Sequence, residues 1–558
     1  MERSCAICKN GFVVTPDEEA FLAKMLFRFG KSQIHLPLPE ICPDCRTQKR
    51  TCHRNERFLS KNRSSFSGKD IVSIYAPGSI IGEPLKIYSQ EEWKSDAWDP
   101  MSYGRDYDLN RSFFDQFAAL QRDVPRMALI SLGNENSGFT TGTGYCKNCY
   151  LINSSEYCED CYYGKLLQRC KNSIDCSYVY DSDLCYEAFS CTKCYGCQWL
   201  SHSQNCQDCF FSSNLRGCRN CCLCTNLDHK EYHFMNQPLS KEEYVKRTAT
   251  FRGSLQRAQE MQKLWKDAMK KMVHKYANVV NCEGCTGDAI ENSRNCIDCY
   301  DVTNGQDCRS VQVGVEPKDI YHSSNMYVRS ELCYETLGTI EAHTVAYCLY
   351  VFHSQRLLYC EYCFSCSDCF GCSGLTRKKH CIFNKQYTEE EYEALVPKII
   401  DAMKKASEFG QFFPVSLSPF GYNESVANEY FPLTEEQARA KGFLWRAKDI
   451  RDFRPQTAAV PEKITDVSES ITEEILACSA CTRNYRIIPQ ELAFYRQQIV
   501  PVPSLCPDCR YMERLKLRNP RKLWDRACAK CGKGMETTYA PGRTETVMCE
   551  ECYRAEIY

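Results

Sequence analysis

Between residues 146 and 229 apolar and polar positions recur every twelve residues, with neither the alternation of a simple strand nor the spacing of a helix. Cut from Cys146, the chain reads CKNCYLINSSEY, CEDCYYGKLLQR, CKNSIDCSYVYD, SDLCYEAFSCTK, CYGCQWLSHSQN, CQDCFFSSNLRG and CRNCCLCTNLDH. The first and fourth positions are Cys or Ser in every line, and Asn, Asp or Gly often lies between them. A short fixed period of this kind predicts stacked coils. Twelve residues make a narrow coil, so inward positions need small side chains, while Asn, Asp and Gly suit corners at positive φ. Tyr150, Tyr162, Tyr186 and Phe210, each directly after the fourth position, are expected to stack as a ladder on coils about 4.8 Å apart.

A looser copy follows at an offset of 148. SELCYE at 330–335 matches SDLCYE at 182–187, Cys366, Cys369 and Cys372 match Cys218, Cys221 and Cys224, and Asn384 matches Asn236. Its rhythm is read through Tyr321, Cys333, Val345, Leu357, Cys369 and Cys381. Each copy runs into a helix with a capping box, Ser240-x-x-Glu243 and Thr388-x-x-Glu391. An amphipathic basic helix is expected at 254–276, and 111–121 is expected to cap the start of the first copy. The fold class is therefore mainly β and multidomain: two narrow twelve-residue-repeat β-solenoid modules with capping helices, flanked by zinc ribbons.

The ribbons are read from cysteine. The chain holds 42 Cys but only 10 His, so metal chemistry here is thiolate chemistry. The N-terminus lacks an apolar signal core and no run of about 18 apolar residues occurs, which argues for a reducing, cytoplasmic setting without a membrane. Paired C-x-x-C knuckles stand at Cys5, Cys8, Cys42 and Cys45, at Cys478, Cys481, Cys506 and Cys509, and at Cys528, Cys531, Cys549 and Cys552. Four thiolates close the tetrahedral sphere of Zn²⁺, so three structural zincs are expected. The ends are copies at an offset of 464: CPDCR recurs at 42–46 and 506–510, and YAPG at 75–78 and 539–542. On that offset the last four ligands fall on Ser64, Ser67, Leu85 and Tyr88, predicting a zinc-free N-terminal ribbon.

The inner cysteines leave alternatives open. Stacked pairs one coil apart offer candidate zinc sets at Cys146, Cys149, Cys158 and Cys161, at Cys194, Cys197, Cys206 and Cys209, and, with a fourteen-residue step, at Cys282, Cys285, Cys296 and Cys299. Buried thiols acting as small hydrophobes are the second reading. Iron–sulfur clusters are the third, prompted by the runs at 191–197 and 360–372.

Net charge is −1, yet residues 46–69 and 510–533 each carry +7. Arg46, Arg50, Arg54 and Arg57, with Arg510, Arg514, Arg518, Arg521 and Trp524, are the candidate nucleic-acid contacts, since Arg grips phosphate bidentately and an aromatic ring can stack a base. RNA or a ribonucleoprotein is the favoured partner; a protein partner or a solvated basic face are the alternatives. Neither G-x-x-x-x-G-K-[ST] nor H-E-x-x-H occurs, and the histidines lack motif context, so neither catalysis nor a small-molecule substrate is expected.

CPDCR, RNPRKLWDRACAKCGK and TTYAPGRTETVMCEECY, with SPFGYNESVANEYFPLT, resemble uncharacterised cysteine-rich proteins of ultra-small bacteria that have duplicated terminal zinc ribbons and Cys-repeat modules. The resemblance implies several bound zincs and a cytoplasmic bacterial protein, and adds no mechanism.

The expected order is a zinc ribbon plus degenerate ribbon at 1–90, a cap at 91–133, modules at 134–276 and 277–408, a linker at 409–477, and zinc ribbons at 478–526 and 527–558. The expected function is a zinc-binding, non-catalytic scaffold. A metal-handling or redox protein using the inner cysteines is one alternative, and a protein–protein assembly module the other.

Overall fold

The twelve-residue period becomes parallel strand pairing. The computed structural model describes residues 1–78, 84–447, 449 and 452–557. Strands from Ser131–Leu132 to Gln237–Pro238 form one 12-stranded sheet. Asn153 pairs with Lys165, Lys165 with Ser177, Ser177 with Phe189 and Phe189 with Ser201, a step of twelve each time. In the second stack alternate strands join an 8-stranded and a 9-stranded sheet. Its first step is eleven, Val279 to Ile290, and a later one is thirteen, Ile320 to Cys333. The extra residue corrects the expected rhythm: the inward column passes through Ile320, not Tyr321, and runs on through Cys333, Val345, Leu357, Cys369 and Cys381.

Every third residue of the first stack, from Tyr145 to Met235, has a positive φ. Asn148, Asp160 and Asn172 hold the expected corners, but Leu151, Tyr163, Leu166 and Trp199 hold others. A side chain there costs roughly 1–2 kcal/mol. The ladder overrides this cost, because corner amides donate to the coil before: Asp160 N–H to the Lys147 carbonyl, Tyr163 to Tyr150 and Arg169 to Glu156, each at 3.0 Å. Tyr150, Tyr162, Tyr186 and Phe210 share one column, with Ile174 and Gln198 between them. The C-terminal ribbon covers that column, so it is a packing surface.

Chain order and packing order differ. The helix Phe113–Asp123, expected to cap the first stack, lies on the second: the Phe113 ring meets Phe370 at 5.6 Å and Phe383 at 5.3 Å, and Gln121 Nε2 donates to Glu361 at 2.9 Å. Its equivalent, Leu255–Lys271, lies on the first stack, where Trp265 Nε1 donates to Ser213 Oγ at 2.8 Å. The same exchange holds for the ribbons: the N-terminal pair covers the second stack and the C-terminal pair the first. The span 409–477, expected as a linker, is packed instead. Phe412, Phe413, Tyr422, Ile464 and Ile471 are buried, and Tyr430 OH meets Tyr178 OH at 2.8 Å. Among the described residues no helix is long and apolar enough to cross a membrane.

Candidate metal centres and the arginine clamps

Each terminal knuckle folds the same way. The amide of the first cysteine donates five residues on, Cys5 to the Asn10 carbonyl, Cys478 to Arg483 and Cys528 to Lys533, at 2.8–3.0 Å. The return bond places Lys9, Thr482 and Gly532 at positive φ. The second C-x-x-C of the first two sets opens a helix: Cys42 precedes Pro43–Thr51, and Cys506 precedes Pro507–Leu515. The four sulfurs of each set then converge, all within 4.8 Å of one another. The Cys8–Cys42, Cys481–Cys506 and Cys531–Cys549 separations are 3.7, 3.8 and 3.7 Å. All twelve expected terminal ligands are brought together, so three Cys₄ sites can hold a metal ion. Hydrogen bonds from the Cys45 thiol outweigh burial and pull Cys42 down to about 5, so that tetrad offers a thiolate at neutral pH.

The second N-terminal ribbon keeps the knuckle. Ser64 N–H donates to the Lys69 carbonyl at 2.8 Å and Gly68 N–H to the Ser64 carbonyl at 2.9 Å. Its third and fourth positions are not Leu85 and Tyr88. Ser65 N–H donates to the Ile87 carbonyl where Ala529 N–H donates to Val547, so four extra residues lie between YAPG and the return strand. Ser89 and Glu92 therefore stand at the places of Cys549 and Cys552. The Glu92 carboxylate accepts from Ser64 Oγ at 2.5 Å and from Ser89 N–H at 2.9 Å. Burial raises this carboxyl, but the Ser64 and Ser67 hydroxyls outweigh it and draw it to about 2.

The inner cysteine sets behave otherwise. Among the described residues, sets of three or more ligand atoms within 4.8 Å of one another are the three terminal tetrads. Cys146 Sγ points to the carbonyls of Gly144 and Ser155, Cys149 to Lys147, Cys158 to Glu156, and Cys161 to Glu159 and Cys170, at 3.3–3.6 Å. Cys194, Cys197, Cys206 and Cys209 repeat the pattern. In the third set the step is eleven, not fourteen: Ser293 lies over Cys282, and Cys296 over Cys285. Burial pushes Cys176 and Cys308 well above the ordinary thiol range. The sulfurs of the inner sets are thus packed against backbone carbonyls of their own and the next coil.

The arginines are turned inward. Arg50, fully buried, donates to Glu335 at 3.0 Å, and Arg46 lies 3.3 Å from both Glu335 and Glu18 and 3.0 Å from His322 Nε2. The C-terminal copy repeats this: Arg514 donates to Glu187 and to Asp175 at 3.0 Å, and Arg510 meets Asp175 at 2.8 Å and Glu491 at 3.1 Å. Arg54 pairs with Glu56, and Arg57 with Asp508 at 2.6 Å. Arg518 and Arg521 share Asp301, and Arg521 lies 4.0 Å over Tyr430. Trp524 is half-buried under Lys522. Arg46, Arg50, Arg510, Arg514, Arg518 and Arg521 tie ribbon to stack and Arg57 ties one ribbon to the other, so all eight guanidiniums are engaged in ion pairs. Their acidic partners, Glu187, Glu335, Asp175 and Asp301, were not singled out from sequence, although Glu187 and Glu335 end the matched SDLCYE and SELCYE segments.

None of the family models matches the chain, and no curated protein matches it. A crystal structure described as that of an acetyltransferase from Desulfovibrio desulfuricans G20 aligns over 48% of this chain and 74% of that one, at 9% identity and a TM-score of 0.12. A score so low carries no argument about fold or activity.

Proposed function

We propose that the protein is a zinc-stapled, non-catalytic scaffold built on two narrow β-solenoids. The observation that carries this is the sulfur geometry of the three tetrads. A tetrahedral ion with metal–sulfur bonds of about 2.3 Å needs sulfur–sulfur edges of about 3.8 Å, and the measured separations are 3.7–3.8 Å. Four thiolates leave no open position for an activated water, so the metal's work is positional. Zinc suits that work because it is redox-silent and has no ligand-field preference.

The mechanism runs from metal to clamp. Cys42 and Cys45 hold the first turn of the helix that carries Arg46 and Arg50; Cys506 and Cys509 do the same for Arg510 and Arg514. An ion held by the four cysteines would fix the helix start; the helices aim their guanidiniums at Glu335 and at Glu187 with Asp175. A buried pair of this kind is worth little as net stability but fixes one arrangement, since losing one partner strands a charge. The burial of the eight arginines counts against their meeting RNA, so the proposal keeps the scaffold without that partner.

Elemental analysis of the full chain, purified without added metal or chelator, tests the reading. Three zincs per chain and no iron are expected, with dissociation of ribbons from stacks after chelation, seen as new protease sites at 1–90 and 478–557. Stoichiometric iron, or ribbons that stay docked without metal, would overturn it.

A further inference from the structure

The inward columns of the two stacks end in four places, and three of those ends are closed by amide or hydroxyl side chains. At the start of the first stack Asn134 Oδ1 accepts from Cys146 N–H at 3.0 Å, and Ser137 Oγ from Cys149 N–H at 2.9 Å. At its far end Asn236 Oδ1 accepts from Thr225 N–H at 2.9 Å. Asn384 Oδ1 does the same for Ser373 N–H, at 2.9 Å, at the end of the second stack.

The start of the second stack differs. The 148-residue offset puts Cys282 where the first stack has Asn134, and Cys285 where it has Ser137. Both sulfurs take the same structural role, accepting from Ser293 N–H and Cys296 N–H at 3.4 Å. Since Asn and Ser close the equivalent end, the fold does not require thiols here. These two are also the half-exposed cysteines of the stacks; the other stack cysteines are buried. Around them Asn281, Glu283 and Gly284 are exposed. Beneath them lies Cys296, whose N–H donates to Cys285 Sγ, and Cys308 is its partner one coil further in. A line of thiols thus leads inward from a solvent-reachable C-x-x-C.

We infer that Cys282 and Cys285 form a binding site for a soft monovalent cation of the copper(I) class. Thiolate sulfur selects soft ions over magnesium, calcium or manganese. Among the described residues these sulfurs join no set of three within 4.8 Å of one another, unlike the terminal tetrads, so the pair suits an ion content with two ligands. Each thiol that ligates releases its proton to solvent, which the exposed mouth allows. This inference does not depend on the zinc reading, because it concerns a different set of sulfurs.

The test uses the full chain with its tetrads occupied, titrated without oxygen with copper(I) supplied as its acetonitrile complex against a chromogenic copper(I) chelator. One copper(I) per chain is expected to leave the chelator, with no zinc released to a metal indicator. The double variant Cys282→Asn and Cys285→Ser carries the residues of the first stack and is expected to hold copper at least tenfold more weakly with its zinc count unchanged. No uptake, equal uptake by the variant, or zinc release matching copper uptake would each overturn the assignment. A footprint on the unaltered protein covers a variant that fails to fold. Iodoacetamide is expected to label Cys282 and Cys285, and copper(I) to protect them; labelling unchanged by copper(I) would also overturn it.

Discussion

The second N-terminal ribbon and the last C-terminal ribbon share one backbone and two chemistries. In the C-terminal copy Cys528, Cys531, Cys549 and Cys552 bring four sulfurs to one point. In the N-terminal copy Ser64, Ser67, Ser89 and Glu92 stand there, and a carboxylate gathers hydroxyl and amide donors. The difference teaches that the knuckle is set by its own hydrogen bonds, Ser64 to Lys69 as Cys528 to Lys533, and not by a metal alone. What a metal adds is a strong tie between the knuckle and the element that returns to it.

The largest way to break this comparison is to remove the tie. Cys528→Ser with Cys549→Ser is expected to lose one metal per chain and unfold the last ribbon, a cost of several kcal/mol given the roughly 10–16 kcal/mol available from structural zinc. Hydrogen exchange confined to 524–557 would register it. Next come the clamps that both ends share. Arg50→Ala and Arg514→Ala should each cost about 3–5 kcal/mol, because each unbalances a buried charge cluster, leaving Glu335 with Arg46 alone and Glu187 without its arginine. Denaturant unfolding of the two variants should give similar losses, and a large loss at one site alone would break the symmetry.

A smaller effect separates the clamps by pH. Burial pushes the Glu187 carboxyl up to about 7, with Arg514 opposing and Asp175 adding to the rise. A carboxyl raised above its unfolded value gives stability that is full at low pH and lost as pH rises through the folded value. Unfolding free energy should therefore fall by on the order of 1–3 kcal/mol as pH rises from the ordinary carboxyl value to about 7, and level off above it. Glu187→Gln is expected to flatten that fall, measured by denaturant titration at stepped pH. The smallest effect returns to the degenerate ribbon. Glu92→Gln should cost about 1–2 kcal/mol by weakening its hydroxyl and amide bonds. Because Glu92 is drawn down to about 2, its contribution is present above the ordinary carboxyl range and lost only in strong acid. The metal-tied ribbon should open at higher pH, as its thiolates take up protons.

Much of this was legible because it is local. The twelve-residue period, the corners at Asn148, Asp160 and Asn172, and the three tetrads follow from residue type and short spacing. What escaped was non-local. Arg50 and Glu335 lie 285 positions apart, and nothing near Arg50 says whether its charge faces a phosphate or a buried carboxylate. Yet the signal existed: Arg50 and Arg514 are duplicated at the two ends, and Glu187 and Glu335 in the middle. Ser89 and Glu92 were missed because a constant offset cannot survive a four-residue insertion. The span 409–477 read as a linker because Phe412, Phe413 and Tyr422 lack a period, although they are buried.

The most direct test of the account is a metal count on a variant that rebuilds the missing site. Ser64→Cys, Ser67→Cys, Ser89→Cys and Glu92→Cys together should raise the zinc content from three to four per chain. If the variant folds and still binds three, the two ribbons do not share the geometry argued for them, and the tie between knuckle and returning helix is not what the metal supplies.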